Sequence, residues 1–206
     1  MRLQELMTKT TGYFLILTAF LCSCKKDSLS SKVELDPFTG FEYTYSVLPN
    51  DTIYHGPYFK KDSTGILLEK GNYENGELHG LREIYFPDGK VKVRERYDKG
   101  TITDLYEYFF SNGKHELKGY YVDGAMYGPW KKYDEQGNLV EVVTMIDNEE
   151  MGPFSEYYAN GKIQAEGAYI HGPNEDGLLN LFNESGELYK KMLCDSGICV
   201  TIWSKE

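Results

Sequence analysis

The sequence predicts an all-β protein, an elongated antiparallel meander of six 24-residue β-hairpin repeats in one long twisted sheet. Three observations predict it. Gly65, Gly89, Gly113, Gly137, Gly161 and Gly186 are spaced by 24, 24, 24, 24 and 25 residues, and Gly76, Gly100, Gly124, Asn148, Gly172 and Gly197 repeat that count. Pairs such as Asn112-Gly113 and Asp123-Gly124 are strong short-range hairpin signals. The segments between them are rich in strand-forming residues, and the chain holds 18 Tyr and 10 Phe. One period over six units is the mark of a repeat array and outranks any local motif.

In chain order, residues 1–23 read as a lipoprotein signal peptide. Arg2 and Lys9 precede an apolar run over residues 13–21, too short to span a membrane. The run ends in Leu21-Cys22-Ser23-Cys24, which resembles a bacterial lipobox. That resemblance implies cleavage before Cys24 and acylation of its thiol, giving a membrane anchor. Residues 24–40 then read as the lipidated cysteine and a flexible polar tether, and residues 41–206 as the repeat domain. Cys24 is not followed by Asp. By the same resemblance the destination is the outer membrane, facing either the periplasm or the outside.

A half-unit over residues 43–56 opens the domain, with a turn at 49–52. The six units start at Gly56, Gly80, Asp104, Gly128, Gly152 and Gly177. A closing half-unit runs over residues 199–203, with Trp203 at the position of Trp130. The half-units read as caps, and the expected total is fourteen strands. Pro57, Pro129 and Pro153 fall at one equivalent strand start, where no ladder hydrogen bond need be lost.

Read as two-residue turns, the X-Gly pairs fix the register. In the third unit Tyr106 then faces Gly119, Tyr108 faces Leu117 and Phe110 faces His115. The equivalent pairs are Tyr58 with Gly71 and Phe154 with Gly167, a ring opposite an empty position each time. Elsewhere they become Trp130 with Val143, Leu179 with Met192, and the opposite charges Arg82 and Glu95. Alternation separates two faces. One carries Tyr58, Tyr106, Trp130 and Phe154, with Leu67, Val91, Leu139, Ile163 and Leu188. The other carries Lys70, Arg94, Glu107, Lys118 and Lys131, with an aromatic column of Tyr85, Phe109, Tyr133, Tyr157 and Phe182. That column is the candidate binding face.

The pattern G-P-W/F-x-x-Y, then N-G-K, then G-x-Y-x-x-G resembles the variant MORN repeat. It runs from about residue 41 to 203, with Asp104 and Asn148 standing where the pattern has Gly. Bacterial proteins of this kind are often labelled YwqK-family antitoxins. The resemblance implies an elongated hairpin sheet used for attachment and protein contact.

Charge and motifs narrow the function. The formal net charge is −10. Residues 1–23 contribute +1 (Arg2 and Lys9 less Glu5), so the remainder carries −11. Phosphate backbones repel such a surface, so no nucleic-acid partner is expected. No catalytic motif is present, and the chain is expected not to be an enzyme. No cofactor or metal is expected either. His55 and His79 lie one repeat apart, roughly 9.6 Å across two strand spacings, too far to share an ion. Cys194 and Cys199 flank the Ser196-Gly197 turn at matched positions, and outside the cytoplasm that pairing predicts a disulfide. The leading expectation is a lipid-anchored extracytoplasmic scaffold for an unidentified protein partner. The alternatives are a glycan-binding surface lipoprotein using the aromatic column, and a toxin-neutralising antitoxin.

Overall fold

The computed structural model describes residues 28–49 and 51–206. Cys24 and the expected signal segment lie outside the described residues, as does Asn50 of the loop at 49–52. The described chain forms one antiparallel 16-stranded sheet with no helix. The strands are β1 (Ser30–Leu35), β2 (Glu42–Val47), β3 (Tyr54–Lys61), β4 (Leu67–Glu74), β5 (Glu77–Leu78) and β6 (Gly80–Tyr85). They continue as β7 (Val91–Asp98), β8 (Thr101–Phe109), β9 (His115–Val122), β10 (Ala125–Tyr133) and β11 (Leu139–Ile146). Then follow β12 (Glu149–Tyr157), β13 (Ile163–Tyr169), β14 (Gly177–Phe182), β15 (Leu188–Asp195) and β16 (Ile198–Ser204). Their spatial order is their order in the chain, apart from the short β5, which pairs with β4.

Two strands exceed the expected fourteen, for different reasons. β5 is the first piece of a strand interrupted before β6. β1 is a correction: residues 24–40 were expected as flexible tether, yet Ser30–Leu35 pairs residue for residue with β2. Ser31, Lys32 and Glu34 are polar, and that composition concealed a strand whose pairing is carried by backbone hydrogen bonds.

The turns are of two kinds and not the single two-residue kind expected from the X-Gly pairs. In five of the six units the second turn is the expected two-residue type, with positive φ at both central residues, as at Asp123 (48°) and Gly124 (86°); in the fifth, where Ile170 N–H donates to the Asn174 carbonyl, it is one residue longer. The first turns differ. Gly113 N–H donates to the Phe110 carbonyl, and Phe110 N–H donates to the Lys114 carbonyl. These are three-residue loops, with positive φ only at the glycine. Side-chain oxygens of the loop hold them: Asp62 accepts from the backbone of Thr64 and Ile66, and Asn112 accepts from Lys114.

The extra residue enters as a bulge. Tyr106↔Gly119 and Tyr108↔Leu117 pair as expected, but His115 lies opposite Phe109 rather than Phe110. The same shift places Leu67, Val91, Leu139, Ile163 and Leu188 opposite Lys61, Tyr85, Tyr133, Tyr157 and Phe182. A one-residue slip moves a side chain to the other face. Those five aliphatics therefore join the charged face and not the Trp130 face.

The core lies on one side of this single layer. Val47, Tyr58, Val93, Trp130, Met145, Phe154, Ala165 and Cys194 are its buried apolar residues. Trp130 illustrates how an open sheet buries a ring. Its ring lies over Gly119, where an added Cβ would collide with the ring carbons. Tyr106 and Tyr121 flank it at 5.7 and 5.3 Å between centroids. Gly119 thus receives the indole of the following strand, whereas Gly71 and Gly167 receive Tyr58 and Phe154 as their register implies. Tyr169 stacks on Phe154 at 4.2 Å. The second unit replaces the ring by Arg82, held between Glu69 at 2.9 Å and Glu95, with the Tyr58 and Tyr97 hydroxyls donating to the same carboxylates.

Trp203 departs from its expected place. It lies opposite Lys191, the counterpart of Lys131 opposite Lys118, and is 43% exposed against 2% for Trp130. Between Met126 and Lys131 the chain inserts two extra residues around Gly128, whose φ is 74°. Residues 199–203 contain no glycine and insert only one. The odd count turns the indole onto the charged face.

Candidate functional site

The face opposite the core is organised by a row of charges running across the strands. Lys70, Glu83, Arg94, Glu107, Lys118 and Lys131 are successive cross-strand partners. Alternation makes most of the row self-neutralising. Glu83 receives Lys70 at 2.9 Å and Arg94 at 3.1 Å. Glu107 receives Arg94 at 3.2 Å, His115 at 2.9 Å and Lys118 at 3.6 Å. Both carboxylates are buried although they lie on the outer face. Burial alone would raise their pKa. Hydrogen bonds from Lys70, Tyr85 and Arg94 to Glu83, and from His115 and Arg94 to Glu107, outweigh it and hold both below the usual carboxylate range.

The aromatic column lies along one side of this row. Tyr85 donates to Glu83 at 2.8 Å, and Phe109 lies 4.6 Å from the His115 ring with Arg94 beyond it. All five rings are half-buried, because the bulge sets Val91, His115, Leu139, Ile163 and Leu188 against them. The more accessible rings lie outside the column. Tyr120 and Tyr127 are direct cross-strand partners on the other side of the row, each 49% exposed, with Val122 at 52% beside them. Alternation from Lys118 could have placed Tyr120 on this face, but only the structure separates a covered ring from an open one.

At the C-terminal side of the sheet Cys194 and Cys199 are opposite in register and joined by a disulfide. Beside it Leu178, Leu193, Val200 and Ile198 form an exposed apolar patch. His55 and His79 do not meet: His55 accepts the Asn75 N–H, while His79 lies 3.3 Å from Glu74. Among the described residues there is no cluster of three or more His, Cys, Asp or Glu side chains fit to hold a metal ion.

The first turns are strapped to one another. Lys90, Lys114 and Lys162 each donate their ammonium to a carbonyl of the next first turn, at Ser111, Gln136 and Ser185. Asn112 and Asn160 donate similarly to Glu135 and Glu184. This gives the N-G-K tripeptide a physical meaning: Gly makes the bulge, while Asn and Lys bind the following repeat.

Three segments, residues 78–99, 126–147 and 152–171, match the family model described as the MORN repeat variant. A comparison with curated proteins finds no match. The matched segments fall in the second, fourth and fifth units of the array, so the sheet is built from units similar to this repeat, which suggests a repeat-based interaction module.

Proposed function

We propose that this chain is a lipid-anchored, non-enzymatic interaction scaffold of the cell envelope, of the kind labelled YwqK-like among bacterial lipoproteins. Residues 1–23 act as its signal peptide and Cys24 carries the lipid. The repeat domain binds a protein partner with its charged face. The observation that carries the reading is the division of labour between the two faces. One face is consumed by packing around Trp130, while the other presents paired charges with Tyr120 and Tyr127 half exposed. Exposed rings within a polar surround are the anchors that protein interfaces use.

The test uses the full chain in cells. Cys24→Ala should lose fatty-acid labelling and membrane retention; equal labelling would end the anchor reading. Tyr120→Ser with Tyr127→Ser should leave the melting temperature within about 2 °C, as surface changes do, and abolish in-cell photocross-links formed from the wild-type charged face. Cross-links that persist unchanged in the double variant would reject that face as the contact surface. A glycan-binding role is the second reading, favoured by a shallow depression on this face that Lys114, Lys118 and Tyr133 line.

A further inference from the structure

The charge row obeys strict alternation until its end. Lys70, Arg94 and Lys118 each meet a carboxylate across a strand boundary. Lys131 meets Lys118 instead, and its other neighbour in the row is Val142. Among the described residues no carboxylate lies within 4 Å of the Lys131 ammonium. Directly opposed like charges destabilise a sheet. Here the surplus is positive in a chain with 32 acidic residues and a net charge of −10.

A shallow depression of about 360 Å³ opens beside the pair. Lys114, His115, Lys118 and Tyr133 form its walls, and Gln136 and Gly137 of the next turn its far side. The absent side chain at Gly137 makes room for the Lys114 stem, whose ammonium donates to the Gln136 carbonyl. The His115 ring lies 6.3 Å from the Tyr133 ring and is turned toward Glu107. Lys114 and Lys118 thus line a space with a phenol ring on its wall, and Lys131 lies next to it as the cross-strand partner of Lys118.

We propose that this depression binds the carboxylate of one acidic sugar residue, a hexuronate, with Lys118 and Lys131 on the carboxylate and the sugar's apolar face against Tyr133. The inference rests on the reading of the charged face as the working surface and specifies one ligand on it. An acidic peptide fits less well. Glu107 flanks the pair on one side and Val142 on the other, and Arg94 and Lys70 further along the row are already paired with Glu83 and Glu107, so a chain of several acids finds a carboxylate or an apolar residue at each neighbouring position. The volume lies at the lower end for a small-ligand site and suits a single ring.

The experiment is calorimetric titration of the full chain, kept in mild detergent, with digalacturonate. Its methyl ester, tetraglutamate and sodium acetate serve as comparison ligands. Digalacturonate should bind with an affinity that falls as salt rises, and the ester about tenfold or more weaker, the loss of one charge-assisted contact. Lys131→Glu should abolish binding and, by pairing with Lys118, raise the melting temperature of the ligand-free protein. Lys32→Glu, which makes the same charge change in β1, should leave binding unaltered. Equal binding of acid and ester, binding of tetraglutamate alone, acetate as tight as digalacturonate, or no binding at all would each overturn the proposal. Loss of digalacturonate binding in Lys131→Glu with intact cross-links from Tyr120 and Tyr127 would separate the sugar site from the protein-contact face.

Discussion

At the scale of single residues, space decides more than propensity. Trp130 is 2% exposed on a one-layer sheet because Gly119 leaves room for its ring. Trp130→Ala should destabilise by about 3–5 kcal/mol, as for other large-to-small core changes. Gly119→Ala should cost about 1–3 kcal/mol through overpacking, and almost nothing in the Trp130→Ala background, where the ring is gone. Urea denaturation of the two single variants and the double variant measures this coupling; additive losses would mean that ring and glycine are not in contact. Asp104 occupies a position that is Gly in the other five units and has φ of 66°. Asp104→Gly should stabilise by about 0.5–1 kcal/mol by removing the left-handed strain of an L-residue. A loss of stability would show that the 3.8 Å pair with Arg96 outweighs the backbone term.

At the scale of elements, each hairpin is set by its turns and its bulge. The two-residue turns at Asn75-Gly76 and Asp123-Gly124 leave the alternation intact, whereas the three-residue first turns shift it by one. The last hairpin carries a covalent link in place of apolar cross-strand pairs such as Tyr97↔Ile102. Closing so short a loop should contribute about 2 kcal/mol. The Cys194→Ala, Cys199→Ala protein should therefore melt earlier than the oxidised wild type and alongside the reduced one. Two free thiols in unreduced protein isolated from the envelope would place the chain in a reducing compartment and contradict the proposed export.

At the scale of the molecule, charge networks on both faces couple stability to pH. Burial opposes ionisation of Glu69, Glu83 and Glu107, yet hydrogen bonds from Arg82 and Tyr58, from Lys70 and Tyr85, and from His115 and Arg94 lower all three. A depressed folded pKa contributes stability that is present above the unfolded value, near 4.3, and is lost as pH falls through the folded value. Glu156 runs the other way. Burial, then repulsion from Glu141 directly opposite and from Glu175, raises its pKa, so its ionisation costs stability at neutral pH and protonation relieves it. Three lowered carboxylates outweigh one raised. The melting temperature should hold from pH 7 to about 5 and fall below about 4.3. Glu156→Gln should melt higher than wild type at pH 7, with the advantage shrinking as pH falls. An unchanged melting temperature down to pH 3 would show that the ion networks contribute no net stability.

The sequence by itself determined the period, the strand order and the pairing at mid-strand, because glycine spacing and ring-glycine complementarity are local and repeat six times. It also separated Trp130 and Phe154 from Arg94 and Lys118, since alternation along a strand needs no tertiary information. Only the structure decided where alternation breaks. The bulge after each first turn, the shorter insertion before Trp203 and the strand hidden in polar residues 30–35 depend on backbone hydrogen bonds that leave little trace in residue type. The candidate site divides in the same way. Tyr133 and Lys118 were legible as neighbours on one face, but the covered state of the column, the open pair Tyr120 and Tyr127 and the isolation of Lys131 arise from which side chain the adjoining strand sets opposite each one.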